Sequence, residues 1–194
     1  MKKLLIFAVL AFTSCSYHVV DNSNSLLLGI PFIQGDKDGS FSKILTQEIA
    51  SSGLAEFRSR DTRYELHITM NPDALERIGF RYDRFADGTL RPNIVGTETR
   101  KTVNISVELY DTLFEKVIYG PKNFQAHTDF DYVDPDNIID MSFVAPDGQR
   151  ELAFNYSLGQ LNTIEGAQDT ANLSVYRILS KKIADELALH FKEL

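Results

Sequence analysis

Between Thr99 and Asp111 apolar and polar side chains alternate without a break, and this stretch constrains the fold more than any other. Val103, Ile105, Val107 and Leu109 fall on one side; Thr102, Asn104, Ser106, Glu108 and Tyr110 fall on the other. A period of two belongs to a strand with one face against a core, and β-branched residues suit that pleated surface. Leu113 to Lys116 supplies a turn, and Val117 to Thr128 returns as a second strand, bent at Gly120-Pro121. The apolar face of this hairpin must be covered, so the rest of the chain has to supply helices.

Two segments qualify. Ser40 to Ser52 places Phe41, Ile44, Leu45 and Ile49 at helical spacing, with Ser40 or Ser42 as a start cap and Gly53 as an end cap. Asp169 to Leu194 places Leu173, Tyr176, Leu179, Ile183, Leu187 and Phe191 on one stripe, with Asp169 or Thr170 as its cap. Leu26 to Phe32 reads as a short strand closed by Pro31, and Leu54 to Phe57 as a brief extended piece. Arg63 to Asn71 alternates, with Tyr64, Leu66, Ile68 and Met70 inward. Asp73 to Gly96 suggests a further strand and a loose hairpin turning at Asp87-Gly88. Asp129 to Ala167 has the least pattern, although Leu152, Phe154, Tyr156 and Leu158 alternate. The expected fold is α+β: a two-layer sandwich with two helices packed on one face of a mostly antiparallel sheet. The other face should be more polar and open to water or a partner.

The first fifteen residues are of a different kind. Lys2 and Lys3 precede an apolar run from Leu4 to Phe12, then the small residues Thr13 and Ser14, then Cys15, the only cysteine in the chain. These are the parts of a secretory signal, and the run is shorter than the ~20 residues of a spanning helix. The Phe-Thr-Ser-Cys ending resembles a bacterial lipobox, whose cysteine takes a diacylglycerol after cleavage of residues 1–14. A plain signal peptide containing a cysteine, or a buried N-terminal strand, is the alternative. A lone cysteine in an exported chain has no disulfide partner, and stable anchoring needs more than one acyl chain. Residues 15–25 would then be a lipidated tether, and 26–194 one domain with 129–167 as an insert.

The formal net charge is −7, so the chain lacks the basic face that nucleic acid requires. His18, His67, His127 and His190 have no ligand spacing. The acidic run from His127 to Asp136 could hold a hard cation, but it lacks the glycine and closing glutamate of a calcium loop; a solvated acidic loop is the simpler account. No nucleophile elbow, P-loop or dinucleotide glycine cluster occurs. A non-enzymatic protein without cofactor or metal is expected, with a hydrolase built on the acidic loop as the opposing reading. Arg77, Arg81, Arg84 and Arg91, set among Phe80, Tyr82 and Phe85, form the one candidate ligand site. Guanidinium groups fork onto phosphate oxygens; equally, charge protects a hairpin edge from other strands.

Along most of its length the chain resembles the LptE family of lipopolysaccharide-assembly lipoproteins. The likeness is carried by Cys15-Ser16-Tyr17-His18-Val19, by Gly29-Ile30-Pro31-Phe32, and by the helix with Leu45, Thr46, Glu48 and Ile49. It continues in the Arg63 to Met70 strand, the Thr99 to Thr128 pair, and Ile183-Ala184-x-x-Leu187 in the last helix. Ser16 stands where the family has glycine. The resemblance implies a lipoprotein anchored through Cys15 at the periplasmic face of the outer membrane. It also implies an LptD-like β-barrel partner and a part in lipopolysaccharide transport, without covalent chemistry. A lipoprotein of similar fold serving another envelope or secretion complex is the alternative.

Overall fold

The computed structural model describes residues 26–85, 87–133, 142–156 and 162–192; the signal segment, Cys15 and the tether lie outside them. In chain order the elements are β1 (Leu26–Gly29), α1 (Ser40–Ser51), β2 (Ala55–Phe57), β3 (Tyr64–Met70), β4 (Ala74–Arg84) and β5 (Leu90–Asp111). They continue with β6 (Lys116–Asp131), β7 (Ser142–Val144), β8 (Arg150–Leu152), a 3-10 turn (Ala153–Tyr156) and α2 (Ile164–Lys192).

The main sheet is arranged on β5. Its C-terminal half pairs antiparallel with β3, from Ile105 opposite Met70 to Asp111 opposite Tyr64. Its N-terminal half pairs antiparallel with β4, from Thr102 opposite Ala74 to Leu90 opposite Arg84. Both lie along one edge of β5, because β6 occupies the other from Glu98 to Asp111. Asn71-Pro72-Asp73 separates β3 from β4, and a proline without an N–H is what such an interruption calls for. The hairpin continues the strand read at Thr99 back to Leu90. At its far end β3 is extended by two short parallel strands, β1 against β3 and β2 against β1, with α1 as the crossover. Parallel neighbours require such a covering connection.

Both helices pack on one face of the sheet, as the alternation requires. Val103, Ile105, Val107, Leu109, Leu66, Ile68 and Phe124 meet Phe41, Leu45 and Ile49 from α1 and Val175, Leu179, Ile183 and Leu187 from α2. The Phe41 and Tyr176 rings, 5.4 Å apart, join the helices.

Some local expectations change. Neither Ser40 nor Ser42 caps α1. The buried Asp36 carboxylate does so, accepting from the amides of Phe41 (3.3 Å) and Ser42 (2.8 Å) and from the Ser42 hydroxyl. A negative charge there also suits the helix dipole. Gly53 closes the helix at φ 68°, donating to the Ala50 carbonyl. α2 begins at Ile164 rather than Asp169, its first turn closed by the Ala167 amide on the Thr163 carbonyl. Leu173 is exposed, not on the buried stripe. Within 129–167, residues Asp129 to Asp131 finish β6, β7 and β8 form a small hairpin, and Ile164 opens α2. Phe154 and Tyr156 stand in the 3-10 turn, not a strand; Leu158 is outside the described residues.

Because Leu179 is fully buried between the layers, Leu179→Ala should lower unfolding free energy by about 2–5 kcal/mol. Asp36→Ala should cost about 1–2 kcal/mol through the lost cap. Urea denaturation midpoints with unchanged m-values check both; a midpoint unmoved by Leu179→Ala would contradict this packing.

Candidate functional site

Beyond the Gly79–Glu98 row, β6 has ended and the β4–β5 hairpin continues as an arm of two strands. The base of the arm is irregular. Gly79 follows a bulge, and a Cβ there would lie 2.5 Å from the Glu98 Cβ, so only glycine permits this approach. Outward from it, Phe80 faces Gly96, Arg81 faces Val95 and Tyr82 faces Ile94. Alternation therefore puts Phe80, Tyr82 and Ile94 on one face and Arg81 and Val95 on the other.

Exposure on the two faces is inverted. Phe80, Tyr82 and Ile94 are each more than half exposed, whereas Val95 and the Asp83 carboxylate are buried. Leu90 and Leu75 are also largely exposed. Isolated apolar residues on a surface mean little, but a contiguous group on one face of a projecting hairpin marks an interaction surface.

Three of the four arginines of the sequence reading lie on this arm, and Arg77 lies just before it on β4. Arg77 stands at its base opposite Thr99, and Arg81 opposite Val95. Arg84 donates to the Gly88 carbonyl at 2.9 Å across the tip. Arg91 donates to Asp83 at 3.2 Å and lies 4.6 Å from the centre of the Phe85 ring. The structure thus gathers the cluster on one element, with Arg84 and Arg91 bonded within the arm. At the tip, the amide and hydroxyl of Thr89 donate to Asp87 and hold its carboxyl below the usual range. Arg150 of β8 lies against Gly88, so the small hairpin touches the arm's tip.

Other residues singled out from the sequence have local partners. Asp129 takes both guanidinium hydrogen bonds of Arg100, at 2.7 and 2.8 Å. His67 bonds Glu65 and stacks on Tyr110. His190 contacts the ring of Tyr119. Cys15 and His18 lie outside the described residues.

A cleft of about 440 Å³ between α2 and the β3–β4 break was not foreseen. Lys101 continues the inward side of β5 toward the arm from Val103, and its side chain is 2% exposed, with its ammonium paired to Asp73. Tyr176 lines the same cleft. Burial, then the charges of Asp73, Asp38 and Asp36, push its phenol up to about 12. A lysine on an otherwise apolar face was the one available sign in the sequence.

No family model and no curated protein matches the chain. Similar solved structures include a protein from Caulobacter crescentus CB15 assigned as a lipoprotein, with 14% identity, TM-score 0.48, and 86% of this chain and 90% of that one covered. Another is the minor lipoprotein from Acinetobacter baumannii, with 11% identity, TM-score 0.48, and 84% and 91% covered. A third is the rare lipoprotein B from Shewanella oneidensis, with 11% identity, TM-score 0.39, and 86% and 94% covered.

The Tyr176 phenol gives a signed pH dependence. Its folded pKa is raised, so the stability it contributes is complete below the ordinary value of 10.0 and is lost as pH rises toward about 12. Tyr176→Phe should therefore lose less stability than the parent between pH 10 and 12. Parallel alkaline profiles for the two chains would refute it.

Proposed function

We propose that the chain is a non-enzymatic, lipid-anchored lipoprotein of the outer membrane's periplasmic face. It works there with an LptD-like β-barrel partner in lipopolysaccharide transport. The observation that carries this reading is the arm: a two-stranded hairpin that turns Phe80, Tyr82 and Ile94 outward and carries arginines on the same element. Apolar side chains held away from their own core gain burial only against another molecule. Guanidinium groups on the same hairpin, Arg81 on its other face and Arg77 at its base, suit the phosphate of a ligand whose acyl chains meet the apolar face. In this reading attachment comes from acyl groups on Cys15; no helix among the described residues is long and apolar enough to cross a membrane.

The test has two parts. Tagged full-length chain from detergent-solubilised envelopes should co-purify with a β-barrel protein, and Phe80→Ser with Tyr82→Ser should reduce that recovery without shifting the urea midpoint. Arg77→Glu with Arg81→Glu should weaken lipopolysaccharide binding about tenfold or more, the worth of one charge-assisted hydrogen bond. Unchanged binding by that folded double variant would remove lipopolysaccharide from the proposal; absence of any barrel would remove the partner.

A further inference from the structure

The end of the domain opposite the arm carries a second exposed apolar group. Leu113 is 68% exposed and Phe114 60%, in the β5–β6 turn, with Val117 exposed beside them. The turn is built, not loose. The buried Asp111 carboxylate accepts from the amides of Leu113 (2.9 Å) and Phe114 (3.2 Å), and the Thr112 amide donates to the Arg63 carbonyl. Glu115 takes φ 47° to complete the reversal. Two apolar side chains are thereby held outward at a fixed place.

Two cations flank them. The Lys116 ammonium lies 5.4 Å and the Arg63 guanidinium 6.0 Å from the centre of the Phe114 ring. An apolar tip flanked by two long cationic side chains, Arg63 also paired with Asp111 at 3.5 Å, has the composition of an interfacial anchor.

The chain enters at this same end. Leu28, Tyr64, Asp111 and Lys116 form one row across four strands. Leu26 lies two residues beyond that row on β1, on the side where the turn lies beyond Asp111. Ten residues separate Cys15 from Leu26, and the eleven steps between them reach about 38 Å at full extension. A lipid on Cys15 would therefore bring this end, and not the arm, to the bilayer.

We infer that the Leu113–Phe114 turn is a second membrane contact, inserting its two side chains into the interfacial layer of the lipid surface that holds Cys15. The inference rests on the anchor reading for its orientation. Together the two contacts fix the domain upright, with the β4–β5 arm at the far end, where it meets the part of the barrel partner that extends out of the bilayer.

The chain contains no tryptophan, so a single introduced indole reports its own surroundings. Full-length Phe114→Trp chain would be mixed with phosphatidylethanolamine–phosphatidylglycerol vesicles containing acyl-brominated phosphatidylcholine, with Phe85→Trp at the arm's tip as the control. The indole at 114 should lose most of its emission and that at 85 should keep it. Unquenched emission at 114, or quenching confined to 85, overturns the inference. So does an emission change at 114 produced only by a barrel partner, or only by raising protein concentration without vesicles. Those results would give the turn to a protein or to a second copy. The mass of the N-terminal peptide separately decides whether Cys15 is acylated, so failure of the anchor is told apart from failure of the turn.

Discussion

Everything in this structure depends on β5 being longer than the layer that covers it. Its 22 residues span about 70 Å along the strand, whereas the 29 residues of α2 span about 43 Å. The apolar face of a sheet is stable only under a covering layer. The chain meets this by setting two successive strands along one edge of β5. β3 pairs where the helices lie above, and β4 pairs largely beyond them. The inward residues change accordingly, from Leu109, Val107, Ile105 and Val103 to Lys101 and Thr99.

Lys101 marks that boundary. An isolated ammonium cannot be taken out of water without a partner, and Asp73 is its partner. Asp73 is in place because β3 stops at Asn71-Pro72 and β4 restarts at Ala74. The same break moves the chain toward the uncovered part of β5 and supplies the carboxylate that buried Lys101 needs. From there to Phe130 and Tyr132, small residues take over: Ala167 and Ala171 let the start of α2 lie close to the sheet below the arm.

What could be read from the sequence follows from the range of each signal. The strict alternation of Thr99 to Asp111 is a local property, and it placed the hairpin and its inward face. The layer arrangement followed from it. The parallel β1–β2 pair could not be read, since strand pairing between separated segments leaves no local period. The arm was legible only as a loose hairpin because bulges next to Gly79 and Gly96 interrupt the period of two. Its aromatic and arginine residues were visible in the sequence, but not which of its faces is buried. α2 was begun late because Ala167 and Ala171 are too small to announce a buried stripe. Leu173 misled because a leucine two residues from Ala171 and Val175 lies about 200° around the helix from both. The Asp36 cap was missed because its carboxylate reaches α1 from a preceding loop, outside the positions where a cap is sought.

Strand direction gives the domain two unlike ends. β5 runs from the arm down to Asp111, α2 runs alongside it from Ala167 near Phe130 to Phe191 beside Tyr64, and β1 starts at the lower end. The chain's entry and the Leu113–Phe114 turn must then share one end, while the apolar face of the arm lies at the other, separated by the length of the covered core. No side chain can serve both ends, and between them β5 pairs with β6 from Glu98 to Asp111, with register shifts around Leu109. A protein fixed through its entry end consequently offers its arm at a set distance from the point of attachment, which a flexible tether alone could not do. The division of apolar surface between the two ends is thus a consequence of strand order, and it suits a domain that joins a surface to a partner held away from it.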